Sequence, residues 1–206
     1  MKKSGIAIVA ILAFGIGAGL SWITARVQPV QLEVGTWLGD QARTLPDFEL
    51  IDQNGKIFAR DDLQGKWQLL FFGYTHCPDI CPMSLQTLAD SVKAIDDPDV
   101  SDTLQVIFVS VDPQRDNPQR LKRYTEYFNP DFVAATGTVT DLNRLTRSLG
   151  MTYAVNQTDS HQDNYEVSHS AAFVLLNPEV KFAGIFGPPH DSQAIARDLI
   201  KVIEHN

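Results

Sequence analysis

Residues 67–82 read WQLLFFGYTHCPDICP. The first six form a nearly continuous apolar run, the pattern of a strand buried on both faces. Pro82 can take the first position of a helix, where a missing N–H does no harm. Leu85, Leu88, Val92 and Ile95 then recur at helical spacing. Between strand and helix lies a loop that holds both cysteines of the chain, Cys77 and Cys81, each followed by a proline. A buried strand that runs through such a loop into a helix predicts an α/β fold.

The flanking sequence extends that reading. Residues 45–52, LPDFELID, mix apolar and polar residues in rough alternation and meet Asn54-Gly55, a strong hairpin signal, with Lys56 to Phe58 as the return strand. Residues 104–111, LQVIFVSV, form a second buried strand. Asn117-Pro118 opens a helix carrying Leu121, Tyr124 and Phe128, and another helix runs from Asp141 to Leu149 and closes at Gly150. Residues 171–176, AAFVLL, are a third strand, turned back by Asn177-Pro178 into residues 181–186, KFAGIF. A C-terminal helix is expected from about Ser192 to Ile203. Alternating strands and helices, with an antiparallel hairpin near each end, predict an α/β sandwich in one domain over residues 44–206.

The chain has 206 residues, 44% of them hydrophobic and 20% charged, enough for one good-sized core. Its formal net charge of -8 argues against nucleic acid as a partner. The N-terminus is different in kind. Met1-Lys2-Lys3 precedes residues 5–24, GIAIVAILAFGIGAGLSWIT, which carry no charge. About 20 apolar residues at ~1.5 Å rise span the ~30 Å core of a bilayer. No A-x-A-like cleavage site follows. A single-pass anchor is therefore expected over residues 1–27, then a linker over 28–43. Lys2 and Lys3 place the N-terminus in the cytoplasm and the bulk of the chain on the periplasmic side of an inner membrane, where disulfides are tolerated.

Three uses of the cysteines compete. A structural disulfide across so short a loop contributes about 2 kcal/mol, against about 4.7 for a loop of ~100 residues, so it is poorly placed as a staple. A reactive pair fits better, because a loop entering a helix N-terminus puts both thiols where N–H groups and the helix dipole favour a thiolate. The same closeness lets the pair close a disulfide or clasp one soft metal ion.

A metal needs further donors. Among the five histidines, His205 is terminal, His190 follows Pro188-Pro189 in a turn, and His161 lies in a polar loop. His76 directly precedes Cys77, so its side chain is expected to point away. His169, in residues 165–172, YEVSHSAA, stands at the start of a core strand. If the fold is thioredoxin-like, that loop faces the cysteines, and His169 is either a ligand or a satisfied rim histidine. Two thiolates and one imidazole suit Cu(I). A closed zinc site wants four nitrogen or sulfur ligands, and an iron–sulfur cluster wants more thiolates. Met83 is either a soft donor or a packing residue. Asp112 closes residues 109–113, VSVDP, at the strand end where open α/β sheets bind ligands. It could complete a Cu(II) shell or simply start the turn before Pro113. Arg115 and Asp116 read as a solvated turn pair.

Residues 73–82, GYTHCPDICP, residues 109–116, VSVDPQRD, and residues 167–169, VSH, together resemble the Sco/SenC family. Its members are membrane-anchored, thioredoxin-like copper proteins that assist assembly of the binuclear copper centre of cytochrome c oxidase. The match runs from about Leu45 to Ile203. The resemblance implies a thioredoxin-like fold, with a central mixed sheet flanked by helices and the Asn54-Gly55 hairpin as an N-terminal addition. It also implies that Cys77, Cys81 and His169 bind copper as Cu(I) or Cu(II), with Asp112 at the family's acidic position and a redox-active disulfide between Cys77 and Cys81. The expected role is that of a binding protein rather than an enzyme. It would be a metallochaperone whose partners are the copper-bearing oxidase subunit and other periplasmic copper chaperones. The alternative is a thiol–disulfide oxidoreductase that keeps that subunit's cysteines reduced. Thioredoxins carry a cis-proline in the loop facing their cysteines. Here that loop reads Val167-Ser-His-Ser170, without proline, which suits a ligand better than a peptide-docking surface.

Overall fold

The computed structural model describes residues 30–156 and 165–205. The expected anchor over residues 1–27 and His161 lie outside them. Among the described residues, no helix is long and apolar enough to cross a membrane.

In chain order the strands are β1 (Gly35–Trp37), β2 (Arg43–Thr44), β3 (Glu49–Asp52), β4 (Ile57–Ala59) and β5 (Trp67–Gly73). Helices α1 (Ile80–Lys93) and α2 (Pro98–Ser101) lead to β6 (Leu104–Ser110), α3 (Pro118–Glu126), β7 (Val133–Gly137) and α4 (Val139–Ser148). The chain closes with β8 (Tyr153–Asn156), β9 (Glu166–His169), β10 (Phe173–Leu176), β11 (Lys181–Phe186) and α5 (Ser192–His205).

The main sheet runs β1-β11-β10-β5-β6-β7-β3-β4, with β2 also paired to β11. Strands β5, β6 and β7 are parallel, and β10, β11, β3 and β4 extend the sheet through antiparallel pairs. This is the mixed sheet with helices of a thioredoxin-like fold. Every residue of β5 is buried, as its apolar run requires. Phe71 at its centre packs on Phe108 of β6 and Phe173 of β10, with ring centroids 6.0 and 5.6 Å apart. Burial of these side chains is the main favourable contribution to folding, at about 25 cal/mol per Å² of apolar surface.

Local chemistry sets the element ends. Gly55 takes φ +78° and turns β3 into β4, as Asn-Gly predicts. Asn117 and Thr138 cap α3 and α4 by accepting the N–H of Arg120 and Asp141. Helix α1 starts at Ile80 with Asp79 before it, so Pro82 is its third residue rather than its first. The N–H groups of a first turn have no intrahelical partner, so the proline still breaks no bond there.

Two expectations change. The stretch expected as a linker over residues 28–43 carries strand: Gly35 pairs with Phe186 and Thr44 with Lys181 of β11. Its main chain is also tied to α5, where the buried Asp198 carboxylate accepts the N–H groups of Glu33, Val34 and Gly35 at 2.7–3.0 Å. These residues show no apolar periodicity because their pairing is main-chain and edge-on. Strands β8 and β9, a separate two-stranded sheet, are also new. They are mostly exposed, so no burial pattern marks them in the sequence.

Candidate metal centre

The cysteine loop leaves the carboxyl end of β5 and enters α1, and β9 brings its last residue, His169, to the same edge. Cys81 lies in the first turn of α1 and is fully buried. Cys77 is half-buried, and both are free thiols. The Cys81 N–H donates to Cys77 Sγ at 3.4 Å. His169 Nε2 stands 3.2 Å from Cys81 Sγ. Its ring meets Phe71 and Tyr74 edge-on, with centroids 5.8 and 6.0 Å away. Nδ1 lies 3.1 Å from the Ser170 carbonyl. A carbonyl only accepts, so Nδ1 carries the proton and Nε2 keeps its lone pair turned to the thiols. One donor atom from each of Cys77, Cys81 and His169 falls within 4.8 Å of the others. A cleft of about 410 Å³ opens over Cys77 and His169, with Tyr74, Asp79, Ile80 and Glu166 on its walls.

The two thiols are not equivalent. The Cys81 S–H lowers the pKa of Cys77 well below the ordinary thiol value by hydrogen bonding, and N–H groups of Cys81 and Asp79 at the helix start act the same way against burial. The same bond, together with burial, pushes Cys81 up. The pair thus shares one proton, held on Cys81, and Cys77 carries the thiolate at the mouth of the cleft.

The other candidates fall elsewhere. His76 turns away from the thiols, as expected. Its Nε2 accepts from Arg120 at 2.8 Å, and its Nδ1 faces Asp116 at 3.7 Å. Met83 is 66% exposed and does not line the cleft. His190 stacks on Phe173 at 3.9 Å and hydrogen-bonds the Ala171 carbonyl at 2.8 Å, beneath the loop that follows His169. Burial holds it below the ordinary histidine range. Asp112 is buried but turned to other partners. Tyr165 donates its hydroxyl to Oδ1 at 2.5 Å, and Arg115 donates Nε to Oδ2 at 2.5 Å. Burial, followed by this bond to Asp112, pushes the Tyr165 phenol up to about 12.

Asp112 therefore groups with His76 and Asp116, not with the thiols. Although donor atoms of these three lie within 4.8 Å of one another, hydroxyls, main-chain N–H and arginine already engage the carboxylates. Arg115 and Asp116 are no solvated pair. Arg115 lies 3.6 Å over the Tyr165 ring, and Asp116 is 1% exposed. The only signal for this in the sequence is the pairing of Ser110 with two aspartates after a buried strand, which reads equally well as a turn.

Two thiolates and an imidazole with a free position form a soft, open donor set. The SCO1/SenC family pattern matches residues 38–204. "Protein SCO2 homolog, mitochondrial" of Mus musculus is 34% identical over 190 residues, covering 90% of this chain and 74% of that protein. A "Putative copper-binding protein" of Stutzerimonas stutzeri is 35% identical over 163 residues, covering 79% and 78%. The crystal structure of Arabidopsis thaliana ScoI with copper bound aligns with a TM-score of 0.72 at 33% identity, over 78% of this chain and 98% of that one.

Proposed function

The chain belongs to the SCO1/SenC family, and on that premise we propose that it is a copper-binding chaperone holding Cu(I) or Cu(II) on Cys77, Cys81 and His169. It is a carrier rather than an enzyme. The observation that carries this reading is the convergence of two sulfurs and an imidazole nitrogen within 4.8 Å, with the nitrogen's tautomer set by the Ser170 carbonyl. Such a donor set satisfies Cu(I) and falls short of what structural zinc requires. The relative whose structure contains copper supports the same assignment.

The geometry suits transfer. Cys77 is the half-buried ligand at the mouth, while Cys81 and His169 stand behind it. An incoming thiolate can therefore take the open position and displace Cys77 first. The destination we propose is the copper-bearing subunit of cytochrome c oxidase, at its binuclear centre, with other periplasmic copper chaperones as suppliers. Residues 1–27 would anchor the chain in the inner membrane and leave residues 44–206 in the periplasm.

A titration of the reduced, anaerobic full chain with Cu(I) against a competing chelator tests the site. One tight equivalent is expected, strongly weakened in His169→Ala. Binding indifferent to His169 would sink the proposal. The thiol asymmetry favours one second reading, a thiol–disulfide oxidoreductase attacking through Cys77. It predicts reductase activity that survives His169→Ala and disappears in Cys77→Ser.

A further inference from the structure

Behind the cysteine loop lies a buried carboxylate that ligand exchange does not use. Asp116 Oδ2 accepts the Thr75 N–H at 2.9 Å and the Ser110 hydroxyl at 2.6 Å, and Oδ1 accepts the Thr75 hydroxyl at 2.5 Å. Ser110 Oγ in turn accepts the Asp112 N–H at 3.2 Å. Thr75 stands just before His76 and Cys77, so the carboxylate fixes the point from which the cysteine loop departs.

The charge of Asp116 is solvated by these donors but not neutralised. Among the described residues, no lysine or arginine forms a salt bridge with it, and its basic neighbour is His76, with Nδ1 at 3.7 Å. Arginine only donates, so the Arg120 contact to His76 Nε2 at 2.8 Å leaves the His76 proton on Nδ1 and the ring neutral. Asp112, by contrast, is paired with Arg115 at 2.5 Å. The field of Asp116 reaches Cys81, where it opposes a negative sulfur. A charge in so dry a place acts over several ångströms with little screening.

We propose that Asp116 is a positioning residue that holds the cysteine loop through Thr75 and, by its buried charge, biases the Cys77–Cys81 pair toward the disulfide. The reduced pair carries a thiolate and the disulfide carries none, so the repulsion raises only the reduced form. This goes beyond the copper reading and does not depend on it.

The test is the exchange of the copper-free full chain with a dithiol buffer such as dithiothreitol at neutral pH. Two electrons pass from the dithiol, the Cys77–Cys81 bond breaks, and dithiothreitol closes to its cyclic disulfide. Alkylation followed by mass measurement reads the balance. Asp116→Asn keeps a carbonyl for the Thr75 N–H and removes the charge. It is expected to move the equilibrium toward the dithiol by roughly fivefold or more. Asp116→Glu, which keeps the charge, is expected to stay closer to the parent. Thr75→Val, which removes one hydrogen bond and leaves the charge, is expected to move it much less. Ser110→Ala strips one screening dipole and is expected to shift the balance the other way, which provides a reading should Asp116→Asn not fold. No shift in Asp116→Asn, an equal shift in Thr75→Val, or a shift of Ser110→Ala toward the dithiol would overturn the proposal.

Discussion

Gly73 lies directly against Cys81: a Cβ at position 73 would stand 2.8 Å from Cys81 Sγ and 2.9 Å from the Phe108 ring. The last residue of β5 is thus a glycine because the first turn of α1 packs its sulfur onto the strand. Overfilling a packed core costs about 1–3 kcal/mol. Gly73→Ala is expected to lower stability by about that amount in urea unfolding and to weaken Cu(I) binding by pushing Cys81 away from His169. Parent-like stability together with parent-like affinity would show that the contact relaxes freely.

The thiol asymmetry predicts a pH profile. In the reduced, copper-free chain, Cys77 is expected to be alkylated with an inflection well below the ordinary thiol value of about 8.5, while Cys81 reacts only after unfolding. Because the folded-state pKa of Cys77 lies below the unfolded one, its thiolate adds stability that is present above the ordinary thiol range and is lost as pH falls through the folded value. Cys81→Ala removes the main hydrogen bond to Cys77 and should move the inflection up. An inflection near 8.5 in the parent chain would contradict the assignment.

Asp112 serves the fold rather than the metal. Its oxygens hold Tyr165 and Arg115, and Tyr165 leads into β9, the strand that carries His169. Removing one partner of a buried ion pair costs about 3–5 kcal/mol. Asp112→Ala is expected to lose stability of that order, seen as a lower denaturant midpoint, while a chain folded at low temperature keeps its Cu(I) affinity. Loss of affinity without loss of stability would return Asp112 to the copper shell.

Asp198 makes a third kind of prediction. It is 1% exposed and accepts three consecutive main-chain N–H groups, those of Glu33, Val34 and Gly35. Leaving buried donors unsatisfied costs about 1–3 kcal/mol each when water cannot replace the partner. Asp198→Ala is expected to destabilise the chain by a few kcal/mol and to open residues 31–37 to limited proteolysis. Unchanged cleavage there would mean that pairing with β11 alone holds the segment.

Much of this protein can be read from its residues alone. The β5 run, the Asn54-Gly55 turn, the capped helices α3 and α4 and the β10–β11 hairpin all appear because their signals are local: burial period, a glycine at positive φ, a side chain three residues before the N–H that it caps. Cys77 and Cys81 could be paired by eye because four residues across a helix start keep two sulfurs close. The sequence alone left His169 open between ligand and rim. Strands β1, β2, β7, β8 and β9 were missed for a shared reason: they are short, edge-placed or half-exposed, and their partners lie far along the chain.

What the sequence by itself determined is therefore the α/β plan and the reactive loop, since both rest on interactions within a few residues. Tertiary structure alone decided which distant groups meet. It set His169 Nε2 3.2 Å from Cys81 across 88 residues, turned Asp112 to Tyr165 across 53, and buried Asp116 under Thr75 across 41. Contacts at such separations depend on how the sheet assembles, and no local preference of either partner encodes them.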